Sequence, residues 1–224
     1  MKVNRYYMLV IGASVGGLHA LGVVLGQLPG AFPAPVLVVQ HQGGDNDSEY
    51  LAALLDNMTP LRVREARPGE VPLPGCVYIS PAGYHLQLEL SGKLSLSVDL
   101  PVNFSIPSID VLFDTAADAL GKKLVALVLT GASSDGSRGL KNIKDRGGLT
   151  LVQAPQTAEV PQMPEHAIAL ARPDFIVPLP DIGTLLCRIF WQAGAKGNGK
   201  TVSCPVRSKA EVSISYDQTE CTCC

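Results

Sequence analysis

Gly12-Ala13-Ser14-Val15-Gly16-Gly17 is where residue types and spacing first suggest chemistry. The apolar run Tyr7 to Ile11 leads into it, and Leu18, Leu21, Leu25 and Leu28 follow at helical spacing. The hexapeptide therefore occupies a strand-to-helix turn, where dinucleotide binders and serine hydrolases both set their working residues. A dinucleotide fingerprint needs glycine at the middle position, so that backbone can approach a pyrophosphate, and an acidic residue about 20 residues on to hold a ribose. Here the middle residue is Ser14, and the next strand ends in Gln40-His41. Both departures favour a nucleophile with its base. On that reading, the glycines of Gly12-x-Ser14-x-Gly16 allow a tight turn that lifts the hydroxyl above the sheet edge. Unpaired amides at Val15 and Gly16, on the helix N-terminus, are placed to hold an oxyanion. The competing reading is that Ser14 only begins and caps a helix.

His41 ends the neighbouring apolar strand, and in open α/β sheets the carboxyl ends of strands converge on the ligand crevice. Serine and histidine should face one cleft, although a histidine satisfied by hydrogen bonds at a strand end is the bland alternative. A third apolar strand breaks into small residues with a single carboxylate at Leu129-Thr130-Gly131-Ala132-Ser133-Ser134-Asp135-Gly136. Asp135 there would hold His41 in one tautomer and stabilise its imidazolium. The commoner use of such an acid is to cap the helix that starts near Ser137. The chain order Ser, His, Asp differs from the Ser, Asp, His order of α/β-hydrolases, so the same geometry would be reached on another fold.

The elements that must position these residues are legible as alternating periods. Tyr7 to Ile11, the helix to Leu28 and Val36 to Val39 form one right-handed βαβ unit. A helix is expected over Ser48 to Met58, then strands at Leu61 to Glu65 and Cys76 to Ser80. Residues 85–90 and 94–98 alternate apolar and polar around Ser91-Gly92-Lys93, the pattern of an antiparallel hairpin with one wet face. Pro107 leads a helix with Ile109, Leu112, Phe113, Ala116 and Leu120 along one side. The strand Leu124 to Leu129, a helix from Ser137, a strand at Leu149 to Val152, a short helix near Glu165, a strand at Phe175 to Val177 and a helix over Asp181 to Trp191 complete the series. The expected fold is α/β: a doubly wound, mostly parallel sheet with helices on both faces, three layers in all, plus a hairpin insertion. Residues 1–191 are expected to form one domain, and the glycine-, serine- and lysine-rich stretch 192–224 a disordered tail.

At 224 residues, with 46% apolar and 17% charged residues, the chain has the makings of a buried core. The net charge of −2 gives no footprint for nucleic acid, and none is expected as a partner. No apolar run has the length of a signal sequence or a membrane span, which points to a cytoplasmic protein without membrane insertion. Four of the six cysteines crowd the last 21 residues, so free thiols are expected rather than a disulfide framework. Cys221, Cys223 and Cys224 lack the spaced second ligand pair of a zinc site, and neither metal nor cofactor is expected. Asp45, Asp47 and Glu49 read as a solvated helix start, and His19 and His166 as structural.

Over nearly all of residues 7–191 the chain resembles the catalytic domain of the chemotaxis protein-glutamate methylesterase (CheB) family. The resemblance rests on Ile11 to Gly17, Gln40-His41, Tyr78-Ile79-Ser80-Pro81-Ala82-Gly83-Tyr84-His85, Pro107-Ser108-Ile109-Asp110-Val111-Leu112-Phe113 and Leu129 to Gly136, in that order. It implies that Ser14, His41 and Asp135 are the catalytic residues, that Val15 and Ala132 line the reaction site, and that His85 contacts substrate. It further implies hydrolysis of glutamyl methyl esters, and deamidation of particular glutamines, on the cytoplasmic helices of chemoreceptors. Val15, Ala132 and Gln42 depart from the threonine, methionine and methionine usual in the family, and residues 102–107 lack its arginines. The alternatives are an esterase or amidase acting on another protein or a small ester, and an adaptor with the fold but no turnover. The chain begins at the first catalytic strand, so a standalone form without a receiver domain is expected.

Overall fold

The computed structural model describes residues 6–41 and 48–192. Its elements in chain order are β1 (Met8–Ala13), α1 (Gly17–Gly26), β2 (Val36–Gln40), α2 (Ser48–Met58), β3 (Arg62–Glu65), β4 (Cys76–Ile79), β5 (His85–Leu88), β6 (Leu94–Ser97), α3 (Ile109–Leu120), β7 (Leu124–Val128), α4 (Ser137–Asp145), β8 (Leu149–Gln153), α5 (Gln162–Ala171), β9 (Phe175–Val177) and α6 (Leu179–Gln192). Seven strands form one sheet in the order β3-β4-β2-β1-β7-β8-β9, every pair parallel. The antiparallel pair β5 and β6 stands apart. This is the doubly wound three-layer α/β arrangement expected from the alternation. The tail beyond residue 192, its cysteines, Gln42, Asp45 and Asp47 lie outside the described residues.

Every residue of β1, β2 and β7 is buried, as parallel strands covered on both faces require. The strand period of two sends alternate side chains to opposite layers. In β1, Leu9 and Ile11 join a core with Leu21, Val24 and Leu25 of α1, Leu51 and Leu55 of α2 and Ile182 and Leu186 of α6. Met8 and Val10 join the opposite core with Leu112 and Phe113 of α3, Leu140 of α4, Ala167 of α5 and the hairpin residues Leu86, Leu88 and Leu94. On one side the chain passes from β1 to β2, then to the edge strand β3, and returns to insert β4 between β2 and β3; on the other it runs outward from β7 through β8 to β9. The switch in winding direction falls between β1 and β7, where open α/β sheets form their ligand crevice.

Gly12 serves a close approach rather than the turn itself. A β-carbon there would meet Ile109 Cγ2 at 2.4 Å, and one on Gly136 would meet the same atom at 2.6 Å. Ile109, fully buried at the start of α3, is thus wedged between the end of β1 and the start of α4. The tight turn is made at Gly16, whose φ of 77° is left-handed. Gly12→Ala should destabilise the fold by about 1–3 kcal/mol through overpacking, read as a fall of several degrees in Tm. In an Ile109→Ala background the added cost should shrink below about 1 kcal/mol. An undiminished cost there would show that the contact is not its cause.

Candidate active site

Ser14, His41 and Asp135 follow three adjacent strands. Ala13 pairs with Gln40 at the end of the β1–β2 ladder. Beyond it, the His41 amide donates to Ala13 O (2.9 Å), and the Ser14 amide donates to Thr130 O (3.0 Å) on the other side. Ser14 therefore sits at the central strand end, with His41 on one flank and the β7–α4 loop on the other. Gly131 completes the approach, since a β-carbon there would stand 2.7 Å from Ser14 Cβ. The turn after Ser14 is closed by the Gly17 amide on Ser14 O (2.8 Å) and by the Thr130 hydroxyl on Val15 O (3.0 Å). Among the described residues the amides of Val15, Gly16 and Ala132 have no acceptor, so they are available to an incoming oxyanion. Ala132 lies exposed at the start of the loop.

His41 Nε2 lies 2.9 Å from Asp135 Oδ2, with the histidine side chain 13% exposed and the carboxylate wholly buried. An ionised carboxylate only accepts, so Nε2 carries the proton in this pair and Nδ1 is the nitrogen left for a base. Among the described residues the Ser14 hydroxyl makes no hydrogen bond. The serine–histidine bond is not formed in this conformation, a common state of unliganded sites.

Asp135 has four donors besides His41. Oδ1 accepts from Ser108 Oγ (2.9 Å), the Asp110 amide (3.1 Å) and Asn103 Nδ2 (3.2 Å), while Oδ2 accepts from the Ile109 amide (2.6 Å). The carboxylate thus caps α3 across the structure. The helix that follows it in sequence, α4, has instead the left-handed Gly136 at its N-cap, and its first-turn Gly139 amide donates to Asp110 Oδ1 (2.8 Å) rather than to Asp135. Burial alone would raise the Asp135 pKa. The His41 hydrogen bond, the Ile109 amide and the Ser108 hydroxyl outweigh that and hold the carboxyl below the usual range. Asp110 behaves oppositely: burial, reinforced by the Asp135 charge, lifts its carboxyl despite the hydrogen bond from the Gly139 amide.

His85 needs a correction. The resemblance implied a contact with substrate, but the side chain is 1% exposed, with Nδ1 accepting from the Ser108 amide (3.1 Å) and Nε2 3.2 Å from Leu100 O. Both ring nitrogens are engaged inside the protein, so in this structure it steadies Ser108, and through it Asp135. His19 and His166 are exposed on α1 and α5, and no group of three or more His, Cys, Asp or Glu among the described residues is placed to hold a metal ion.

Sequence reasoning missed Gln40. Its buried Nε2 donates to Ser14 O (2.8 Å) and to His41 O (2.7 Å), clasping the two segments where the ladder ends. Its Oε1 is buried without a partner and occupies the space that a β-carbon on Gly17 would need, at 1.8 Å. The available signal was a glutamine closing an otherwise apolar strand. Asn103 and Ser108 gave no comparable signal.

A family model described as CheB methylesterase matches residues 9–186. A Leptospira interrogans protein is 42% identical over 185 residues, covering 83% of this chain and 95% of its own length. The protein-glutamate methylesterase FrzG of Myxococcus xanthus is 39% identical over 181 residues, 81% of this chain and 54% of the relative. The crystal structure of the Thermotoga maritima CheB methylesterase catalytic domain matches with a TM-score of 0.77 and 35% identity, over 81% of this chain and 97% of that one.

Two substitutions probe the geometry. Gln40→Met strands two buried carbonyls and should cost about 1–3 kcal/mol in urea unfolding. If the clasp aligns Ser14 with His41, the variant also loses kcat with little change in KM, whereas a purely structural glutamine would leave kcat of the folded protein intact. Asp135→Asn should lose about 1–3 kcal/mol at pH 7. Because the Asp135 pKa is depressed in the folded state, its contribution is full above the unfolded value near 4 and fades as pH falls through the lower folded value. The stability gap between wild type and Asp135→Asn should therefore narrow below about pH 4. A gap that stays constant with pH would contradict the ionised, capped carboxylate.

Proposed function

This chain belongs to the CheB methylesterase family, and from that premise we propose that it is a serine hydrolase cleaving glutamyl methyl esters on the helices of a chemoreceptor or similar signalling protein. It would also deamidate glutamines there. The observation that carries the reading is the convergence of Ser14, His41 and Asp135 on adjacent strand ends, with a 2.9 Å histidine–carboxylate bond and two acceptor-free amides after the serine.

In the proposed mechanism Ser14 turns toward His41 Nδ1, which takes its proton as Oγ attacks the ester carbonyl. The amides of Val15 and Gly16 receive the oxyanion, and Asp135 stabilises the imidazolium. Collapse of the tetrahedral intermediate breaks the bond to the methoxy oxygen, and His41 returns the proton so that methanol leaves. Water, deprotonated by His41, then attacks the acyl-serine and releases the glutamate carboxylate, restoring Ser14. A glutamine side chain would follow the same course with ammonia as leaving group.

No helix among the described residues is long and apolar enough to cross a membrane, and the proposed substrates, the cytoplasmic helices of receptors, place the proposed action in the cytoplasm. The unformed serine–histidine bond is the one observation that favours a non-catalytic adaptor. Methanol release from methylated receptor fragments tests the reading directly: wild type should release it, and Ser14→Ala and His41→Ala should each lose about 10⁴-fold or more in rate. A fluorophosphonate should label wild type and leave Ser14→Ala unlabelled. Well-folded wild type that neither labels nor releases methanol would sink the hydrolase reading in favour of the adaptor.

A further inference from the structure

Phe104 is the most exposed large apolar side chain among the described residues, with a relative accessibility of 104%. It stands at the tip of a two-residue turn in which Val102 and Ser105 exchange both backbone hydrogen bonds, at 3.1 and 2.9 Å. Between them Asn103 and Phe104 have φ of 50° and 60°. Left-handed backbone suits asparagine but disfavours an aromatic residue. The ring is therefore held in solvent against both its backbone preference and the hydrophobic effect. What prevents relaxation is Asn103, whose Nδ2 donates to Asp110 Oδ2 (2.9 Å) and Asp135 Oδ1 (3.2 Å). Phe104 also stands on the wall of a cavity of about 370 Å³ shared with His41, Ala82 and Gly83.

We infer that Phe104 is a substrate-binding residue that docks the helix of a protein substrate through an apolar contact beside the side chain being hydrolysed. The inference rests on the hydrolase reading for the identity of its occupant. The ester must reach the cavity wall formed by His41, so a side chain on the same wall meets the surface next to it. Among the described residues that cavity is lined by no lysine or arginine, so charge pairing is not what these walls offer. The segment leading into the turn continues the apolar surface at Val98 and Leu100, 76% and 85% exposed. Exposed apolar side chains spread over residues 98–104 suit an extended protein surface rather than a small ester.

The test is titration calorimetry of a methylated receptor helical fragment with the Ser14→Ala protein, which binds without turnover. Adding Phe104→Ala should weaken binding roughly tenfold or more, the scale expected for losing a buried aromatic ring. Phe104→Gly removes the ring while relieving the backbone and should weaken binding equally without loss of stability. Phe104→Tyr should retain affinity within about threefold, and raising NaCl from about 0.05 to about 0.5 M should change it by less than that. Leu90→Ala, which trims an equally prominent side chain at the hairpin tip (82% exposed), should bind as the parent does. Unchanged binding by both Phe104→Ala and Phe104→Gly, or equal loss in Leu90→Ala, overturns the inference. Phe104-dependent binding without methanol release by the Ser14-containing enzyme would keep the docking surface and discard the hydrolase. Methanol release with no measurable binding by the Ser14→Ala protein would do the reverse.

Discussion

A buried carboxylate must be paired or it ionises at prohibitive cost, and the organisation of this site follows from how Asp135 meets that demand. Its oxygens draw on the first two amides of α3, the Ser108 hydroxyl, the Asn103 amide and the His41 ring. Those donors come from two separate parts of the chain, so one side chain ties the end of β2 and the segment leading into α3 to its own loop after β7. Around it, packing is arranged to allow the approach. Ile109 fits because Gly12 and Gly136 have no β-carbons, and Ser108 is held from behind by His85. The helix N-terminus adds its partial positive charge to the same point.

A second constraint operates along the carboxyl edge of the sheet. As parallel strands diverge into loops, their ladder hydrogen bonds end and buried backbone groups would be left unpaired. Buried polar side chains continue the ladder. Gln40 takes up the carbonyls of Ser14 and His41. Gln153, at the end of β8, accepts from the Thr130 amide (2.9 Å) and donates to Thr157 O (2.8 Å). The Thr130 hydroxyl stands between Val15 O and the strand-to-helix loop at Val160. The turn carrying Ser14 is thus braced on both flanks by side chains that hold its backbone and leave the hydroxyl free of hydrogen bonds among the described residues.

The contrast between what periodicity reveals and what it conceals follows from range. Apolar runs and helical spacing are local, and the strands and helices read from them agree with the structure to within three residues at either end. Glycine breaks after β1 and β7, with His41 after β2, were enough to set Ser14, His41 and Asp135 at neighbouring strand ends. The pairing of Asp135 with His41 was legible from the strand ends, but its other partners were hidden because they lie 25 to 32 positions away with no local pattern to mark them. The local alternative for Asp135 was to cap the helix that follows it, yet the acid caps α3, since Gly136 starts α4 in a left-handed conformation. His85 went astray for a related reason. The hairpin alternation gave its strand correctly, but not the crossing segment at Leu100 that covers it.

The rigidity of the site is unevenly distributed, and this bears on how it becomes competent. Asp135 is wholly buried and held by several donors, His41 is fixed to it through Nε2, and the backbone on both sides of Ser14 is clasped. Of the three side chains, only the Ser14 hydroxyl makes no hydrogen bond among the described residues, and its freedom is one torsion with three staggered wells. Moving between such wells costs little beside the loss that would follow from shifting a buried carboxylate off its donors. In the proposed mechanism, completion of the triad therefore falls to Ser14, the one member whose motion breaks no existing hydrogen bond, while the charge that would stabilise an imidazolium is in place before substrate arrives.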